Sequence, residues 1–452
     1  MGIKTVYDYV DGHSADFIQD LVRLVKQPSI SARGEGIIAC AEIVEAMLGD
    51  VGFSTKLIST SDEYPVVFGE LKSKTGKKTI LFYDHYDVQP PEPIEEWKFG
   101  AFSGEIHEGI IYGRGVSDNK GNIVSRVKAV ESFLKTHGDV PVNVKFVVEG
   151  EEEVGSPHLL PMVKNNRSLI ANDATIWEFG GTNFEGRPEI YLGLKGVLSV
   201  ELRTQGATRD VHSANAPLVP NPAWRLIWAL NSIKDDQDKV LIDDFYENVK
   251  EPSETELRLL VEIPLEEGKI KQALGLKEFL HGKRGNEAKK SLLFSPTCTI
   301  NGFLTGYVGN GSKTVLPRKA MAKLDFRLVP DQRSSEIFNK LVSHMHQRGF
   351  ADIEAVQHGS TEPTRTPVTH KFVQIVAEAA EKVYEKKTII YPTSAASGPM
   401  HLFRNLLDSP VVSAGCSHAD AKGHAPNENL TIDSFIKGTK FMATILNDFG
   451  EN

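Results

Sequence analysis

Cysteine is scarce in this chain: Cys40, Cys298 and Cys416 lie far apart and form no Cys-x-x-Cys pair. That argues against a disulfide framework and for a reducing compartment. An excess of basic residues is also missing. The formal net charge is −9, whereas a nucleic-acid binder needs a basic footprint. No apolar run is long enough to span a bilayer, so no membrane association is expected. The segment Met1 to Asp11 is polar and lacks the apolar stretch of a signal peptide, so a cytoplasmic location is expected. No Gly-x-Ser-x-Gly elbow occurs, which leaves a serine hydrolase without its nucleophile signal. Gly113-x-Gly115 lacks the third glycine of a dinucleotide loop and is followed by Asp118 where such a helix would pack.

The chain has 452 residues, too many for one ordinary core, which predicts two or three domains. Helical spacing runs over Ser14–Lys26 and Gly36–Leu48. Short β-branched or aromatic runs follow at Val66–Leu71 and Thr79–Tyr83. A helix is predicted over Asn119–His137, then buried-type strands at Val142–Glu149 and Ala174–Trp177. This alternation predicts an α/β fold with a largely parallel sheet. Near Tyr191 the pattern changes to alternating strands (Leu198–Thr204, Thr297–Asn301, Met321–Val329) around a charged, helix-rich stretch from Pro222 to Lys290. The α/β pattern resumes beyond Pro367. The expected division is therefore a catalytic domain of residues 1–192 and 367–452, interrupted by an α+β domain of residues 193–366.

Five candidate ligands lie near predicted strand ends, where sites collect in open α/β sheets. His85 follows the Thr79–Tyr83 strand. Asp87, two residues on, shares its side and is placed to accept a proton from the other ring nitrogen. Asp118 lies in the glycine-flanked run Gly113-Arg114-Gly115-Val116-Ser117-Asp118. Alone it also reads as a helix N-cap. Glu149, Glu151, Glu152 and Glu153 crowd the end of an apolar strand, where mutual repulsion is costly without a cation. Glu178 ends the Ala174 strand, and His424 lies in Gly423-His424-Ala425-Pro426-Asn427-Glu428. Two imidazoles and three carboxylates suit zinc, manganese or cobalt. A shared Asp with one His and one acid per ion is the economy of a two-metal hydrolase. Such a centre polarises a scissile carbonyl and acidifies water, and a free Glu takes the proton.

The order His-Tyr-Asp, Gly-Arg-Gly-Val-Ser-Asp-Asn-Lys-Gly, Glu-Glu-Val-Gly-Ser, a strand-end acid and Gly-His-Ala-Pro-Asn-Glu resembles the M20 metallopeptidase family. Within it, the chain is similar to the cytosolic non-specific and carnosine dipeptidases. The resemblance implies that His85, Asp118 and Glu178 hold one ion and that Asp118, Glu153 and His424 hold the other. It implies Glu152 as the general base and Asp87 as the residue that orients His85. It further implies that His212, in Asp210-Val211-His212-Ser213, stabilises an oxyanion in the partner subunit of a lid-mediated homodimer. The resemblance also implies that Thr314, Arg327 and Ser397 fall in segments that bind the substrate, with the Arg327 fork suited to a carboxylate. The expected substrates are dipeptides. N-acyl or N-succinyl amino acids, as for acetylornithine deacetylases and succinyl-diaminopimelate desuccinylases, are an alternative, as is C-terminal trimming by a metallocarboxypeptidase. Glu178 bears on this choice, because many dipeptidases of the branch carry Asp there.

Overall fold

The computed structural model describes residues 2–60 and 63–451. The chain forms two compact units. The first comprises Met1–Gly193, Arg365–Pro392 and Leu402–Asn452, and the second Leu194–Thr364 and Thr393–His401. The division differs from the expected one at Thr393–His401, which leaves the C-terminal segment and joins the second unit. The cause is backbone pairing. Leu194 bridges Ser394 in parallel, and the Lys195 amide donates to the Ala396 carbonyl at 3.0 Å.

The first unit is built on a ten-stranded mixed sheet. Its centre is parallel: Asn143–Glu149, Thr79–His85, Ala174–Trp177 and Val411–Ser413 lie side by side in that order. These strands are almost wholly buried, as expected where helices cover both faces. The outer strands Ser54–Ile58 and Val66–Leu71 are antiparallel. Helix Gly121–His137 packs against the C-terminal helix Ile432–Glu451, and that helix packs against Lys371–Tyr384. The Thr79 strand runs through His85, two residues beyond its expected end. His85 thereby pairs in register with Glu149 of the neighbouring strand. The carboxyl ends of three adjacent parallel strands thus bring His85, the Glu149–Glu153 run and Glu178 to one rim of the sheet.

The second unit has a four-stranded antiparallel sheet in the order Thr297–Thr305, Lys319–Leu328, Gly196–Gln205, Glu354–Thr361. Helices Pro222–Ile233 and Ser334–Gln347 pack on it. Alternation sorts the Lys319–Leu328 strand into two faces. Ala320, Ala322, Leu324, Phe326 and Leu328 are buried in the core, while Asp325 and Arg327 point to the opposite face. Helices Glu254–Glu262, Glu267–Leu274 and Gly285–Phe294 make up the charged insertion. Among the described residues no helix is long and apolar enough to cross a membrane.

Candidate metal centre

Asp118 is the middle of the site. It is not a helix cap. It has φ −123° and ψ 86° in an irregular turn, and the helix that follows begins at Gly121 after Lys120. Its two carboxylate oxygens face opposite ways. Oδ1 lies 3.0 Å from His85 Nε2, and Oδ2 lies 3.0 Å from His424 Nε2. Each imidazole has a second acid beside it: Glu178 Oε2 at 3.9 Å from His85 Nε2, and Glu153 Oε2 at 3.1 Å from His424 Nε2. His85, Asp118 and Glu153 offer ligand atoms within 4.8 Å of one another. Two donors bound at ~2.0–2.1 Å to one tetrahedral ion sit about 3.3 Å apart, so the His–carboxylate spacings of 3.0–3.1 Å match ligand sets close to closure.

The electrostatics point the same way. Burial pushes the Glu152 carboxyl up to about 7; the charges of Glu153, Asp118 and Asp87 add to this, while His85 opposes it. Burial, with the charge of Glu152, drives Glu178 well above the carboxylate range, and its Oε2 is buried without a hydrogen-bond partner. Burial disfavours charge on His85, but hydrogen bonds to Asp118 and Asp87 outweigh it and raise the imidazole well above its ordinary value. Hydrogen bonds to Asp118 and Glu153 raise His424 to about 10. Burial works against Asp118 as an anion, yet the two histidines hold its carboxyl below the usual range. A divalent cation in this place would neutralise a crowd of inward-facing carboxylates. The donor set fits such ions.

The surroundings fix each of these groups. His85 Nδ1 lies 3.0 Å from the Asp87 main-chain carbonyl and 3.4 Å from its carboxylate Oδ1. The Asp87 carboxylate also accepts from the backbone amides of Glu152 at 3.2 Å and Glu153 at 3.1 Å, tying the His85 strand to the acidic turn. Gln89 Nε2 donates to Glu153 Oε2 at 2.9 Å. Glu151 is turned away and pairs with His158 at 2.8 Å, which leaves Glu152 and Glu153 facing the centre. His424 sits at φ 63°, a left-handed backbone that a non-glycine residue keeps only when its surroundings impose it.

Two supporting residues, Glu428 and Arg126, had no role in the sequence reading, and a third, Glu149, counted there only as one of a crowd of acids. Glu428 is buried and accepts from Arg114 Nη1 at 2.8 Å and from the amides of Gly115, Ser117 and Asp118 at 2.9–3.0 Å. It thus shapes the Asp118 turn from below. Gly115 is required there, because at φ 84° a Cβ would lie 2.4 Å from Val88 Cγ1. Arg126 pairs with Asp84 at 2.6 Å and donates to the carbonyls of Tyr83, Trp177, Glu178 and Ala414. It staples together the ends of three adjacent strands, two of which carry His85 and Glu178. Glu149 accepts from Tyr83 and Ser156, and burial raises it to about 8. Glu428 lies in the Gly-His-Ala-Pro-Asn-Glu run, where its position was visible although its role was not.

A cleft of about 410 Å³ opens beside Asp118, with Phe179, Thr182, Asn183, Tyr191 and His418 in its walls. The remaining candidates belong to the second unit. His212 pairs with Val315 in a short antiparallel bridge, and the Ser213 amide donates to the Thr314 carbonyl at 3.1 Å. The Ala214 amide donates to His212 Nδ1, so the neutral ring carries its proton on Nε2. Arg327 Nη1 donates to Ser397 Oγ at 3.0 Å, and its Nε bonds Asp325 at 2.9 Å. The candidates of this unit thus fall into two local groups: His212 and Thr314, brought near each other by the His212–Val315 bridge and the Ser213–Thr314 bond, and Arg327, bonded to Ser397.

A carboxylate shared between two imidazoles at the rim of a parallel sheet, with a free glutamate alongside, defines a metal-dependent hydrolase. The match to known proteins narrows this. The chain belongs to peptidase family M20/M25/M40, whose model matches residues 81–448. It is 27% identical to the Cys-Gly metallodipeptidase of Saccharomyces cerevisiae, over 100% of this chain and 98% of that protein. It is 24% identical to the human Beta-Ala-His dipeptidase, over 98% of this chain and 91% of that protein. Among solved structures, an M20 family metallo-carboxypeptidase from Sulfolobus solfataricus superposes with a TM-score of 0.89 at 40% identity, covering 96% of this chain and 99% of that one.

Proposed function

We propose that the protein is a two-metal dipeptidase. The observation that carries this is the division of Asp118, whose two oxygens each face a separate His–Glu set. His85, Asp118 and Glu178 would hold one divalent ion, and Asp118, Glu153 and His424 the other. Zinc suits the donors best, and manganese or cobalt are accepted by the same set. Such ions supply Lewis-acid polarisation of a carbonyl and acidified water. Glu152, with no ligand role left to it, takes a proton from water and returns it to the leaving amine. Its raised carboxyl suits a base working near neutral pH. Asp87 keeps His85 oriented. His212 donates through Nε2 to the developing oxyanion. Arg327, with Ser397 and Thr314, takes the substrate carboxylate.

The curated relatives that act on dipeptides support this choice of substrate. The 40% identity to a metallo-carboxypeptidase favours a second reading, trimming of longer peptides from the carboxyl end. Both readings use the same centre and need a free carboxyl terminus. Purified protein, assayed with zinc, manganese and cobalt against dipeptides, longer peptides, and N-acetyl and N-succinyl amino acids, separates them. Dipeptides are expected to be cleaved fastest. Faster turnover of acyl amino acids would make it a deacylase. Glu152→Gln should lower kcat by about 10²–10⁴ with metal content unchanged. Full activity in that variant would remove Glu152 from the mechanism.

A homodimer through the second unit and a cytoplasmic location complete the proposal. Trp224, Ile227 and Trp228 make an exposed apolar stripe on one helix, and Ile300, Phe303 and Leu304 are exposed on the edge strand Thr297–Thr305. An exposed apolar stripe and an open strand edge each suit self-association. All three cysteines are free and buried, in keeping with a reducing compartment.

A further inference from the structure

Lys195 is 3% exposed, and among the described residues no carboxylate pairs with it. It lies one residue before the Gly196–Gln205 strand, whose Val197 is opposite Arg327. Two residues apart on a strand share a face, so Lys195 and Arg327 are diagonal neighbours on the face away from the core. The lysine crosses the end of the middle strand, and its Nζ donates to the Ser295 carbonyl at 2.7 Å. That uses one of three ammonium protons. Its own backbone amide bonds the Ser394 and Ala396 carbonyls at 3.3 and 3.0 Å. Those bonds position the loop whose Ser397 hydroxyl accepts from Arg327.

Two cations and one acid therefore converge, because Asp325 is spent on Arg327 Nε. Burying an unpaired ammonium beside a guanidinium is costly unless an anion completes the set. The charge deficit is also felt in the lysine itself: burial and the Arg327 charge bring it down to about 8.

We propose that Lys195 is the second cation of a carboxylate clamp formed with Arg327 and Ser397, and that it selects substrates with a free carboxyl terminus. This rests on the peptidase reading above. The test compares a dipeptide with its C-terminal amide in wild type, Lys195→Gln and Lys195→Arg. Glutamine keeps a donor for Ser295 and removes the charge, and arginine restores the charge.

In Lys195→Gln, KM for the free dipeptide should rise about tenfold or more, the worth of a lost charge-assisted hydrogen bond. The ratio of kcat/KM for dipeptide over amide should fall by the same factor, and Lys195→Arg should recover most of it. An unchanged ratio overturns the proposal, whether total activity holds or falls for both substrates alike. A purely structural lysine would give that second outcome. If Lys195→Gln does not fold, inhibition of wild type and Lys195→Arg by the free product amino acid and by its amide decides the matter. Equal inhibition by the two overturns the clamp. Should wild type cleave acyl amino acids and leave dipeptides intact, the dipeptide reading fails by itself. The ratio is then measured on the acyl amino acid and its amide.

Discussion

In the first unit, charged groups are buried at the ends of strands and turns and joined across long stretches of chain, whereas in the second unit, whose helices pack on an apolar core, the polar contacts of the helices are largely local caps and partly exposed ion pairs. Arg114–Glu428 and Arg126–Asp84 are both buried ion pairs, closed at 2.8 and 2.6 Å. Lys120 is buried as well and donates to the carbonyls of Leu24 and Gln27. In the second unit, Ser253 and Glu256 form a reciprocal cap on helix Glu254–Glu262, and Asn221 caps the helix that begins at Pro222. Its pair Lys250–Asp331 is solvent-exposed, and Lys340–Glu247 is partly so. Buried ions cost several kcal/mol each in desolvation unless their geometry is complete. The first unit carries that cost beneath the metal centre, where inward-facing carboxylates must be held still. Lys195 brings a similar feature to the second unit, at the point where a substrate anion is proposed to bind.

The contrast is tested most severely at Arg126. Arg126→Met should destabilise the protein by about 3–5 kcal/mol, because Asp84 is left buried without its partner. Urea unfolding measures this. Asp84 already titrates near 6 through burial, so part of the loss should be regained in mildly acidic buffer, where Asp84 is neutral. A loss below 1 kcal/mol, typical of exposed pairs, would break the comparison. Glu428→Gln comes next. It weakens the four hydrogen bonds that shape the Asp118 turn, and should lower metal affinity or activity about 10–100-fold, as outer-shell changes do. Metal titration followed by kcat reads it, and unchanged affinity would make Glu428 a purely structural acid.

Acidity sharpens the same contrast. In the folded, metal-free protein, burial raises Glu149 to about 8 and Glu152 to about 7, from ordinary values of 4.5. Between those limits the unfolded chain has released protons that the folded chain keeps, so stability falls as pH rises. His424, raised to about 10, acts in the same direction: its contribution is complete below 6.5 and is lost as pH climbs through the folded value. The thermal midpoint of metal-free protein should therefore drop from pH 5 to pH 8. Zinc should flatten the drop, since cations replace those protons. A midpoint that is equally steep with and without zinc would count against the carboxylate cluster as the metal site.

What could be read from the sequence divides along similar lines. The parallel core was legible because its strands are buried runs alternating with helices, and the second sheet because its strands alternate. The ligand candidates were legible as residue types at strand ends, although Asp118 remained ambiguous with a cap until the backbone showed Lys120 at that position. Arg126 lies mid-helix with nothing local to mark it, and its partners lie on three other strands. Glu428 and Arg114 are 314 residues apart. The Thr393–His401 loop joins the second unit through backbone bonds, which leave little side-chain pattern to read. Local signals survive in sequence, while long-range staples become visible only once the fold is closed.

The smallest effect is expected where the second unit relies on such a local signal. The Ser253 hydroxyl accepts from the Glu256 amide, and the Glu256 carboxylate accepts from the Ser253 amide at 2.8 Å. Ser253→Ala removes one of these orphan-donor partners and leaves the other. The expected cost is about 1 kcal/mol, a fall of roughly 2–4 °C in thermal midpoint for a unit of this size. Because the cap serves only its own helix, metal affinity and kcat should not change. A fall in kcat comparable to that of Glu428→Gln would show that the helical insertion is coupled to catalysis. The two units would then differ in the range of their contacts and not in their importance to the centre.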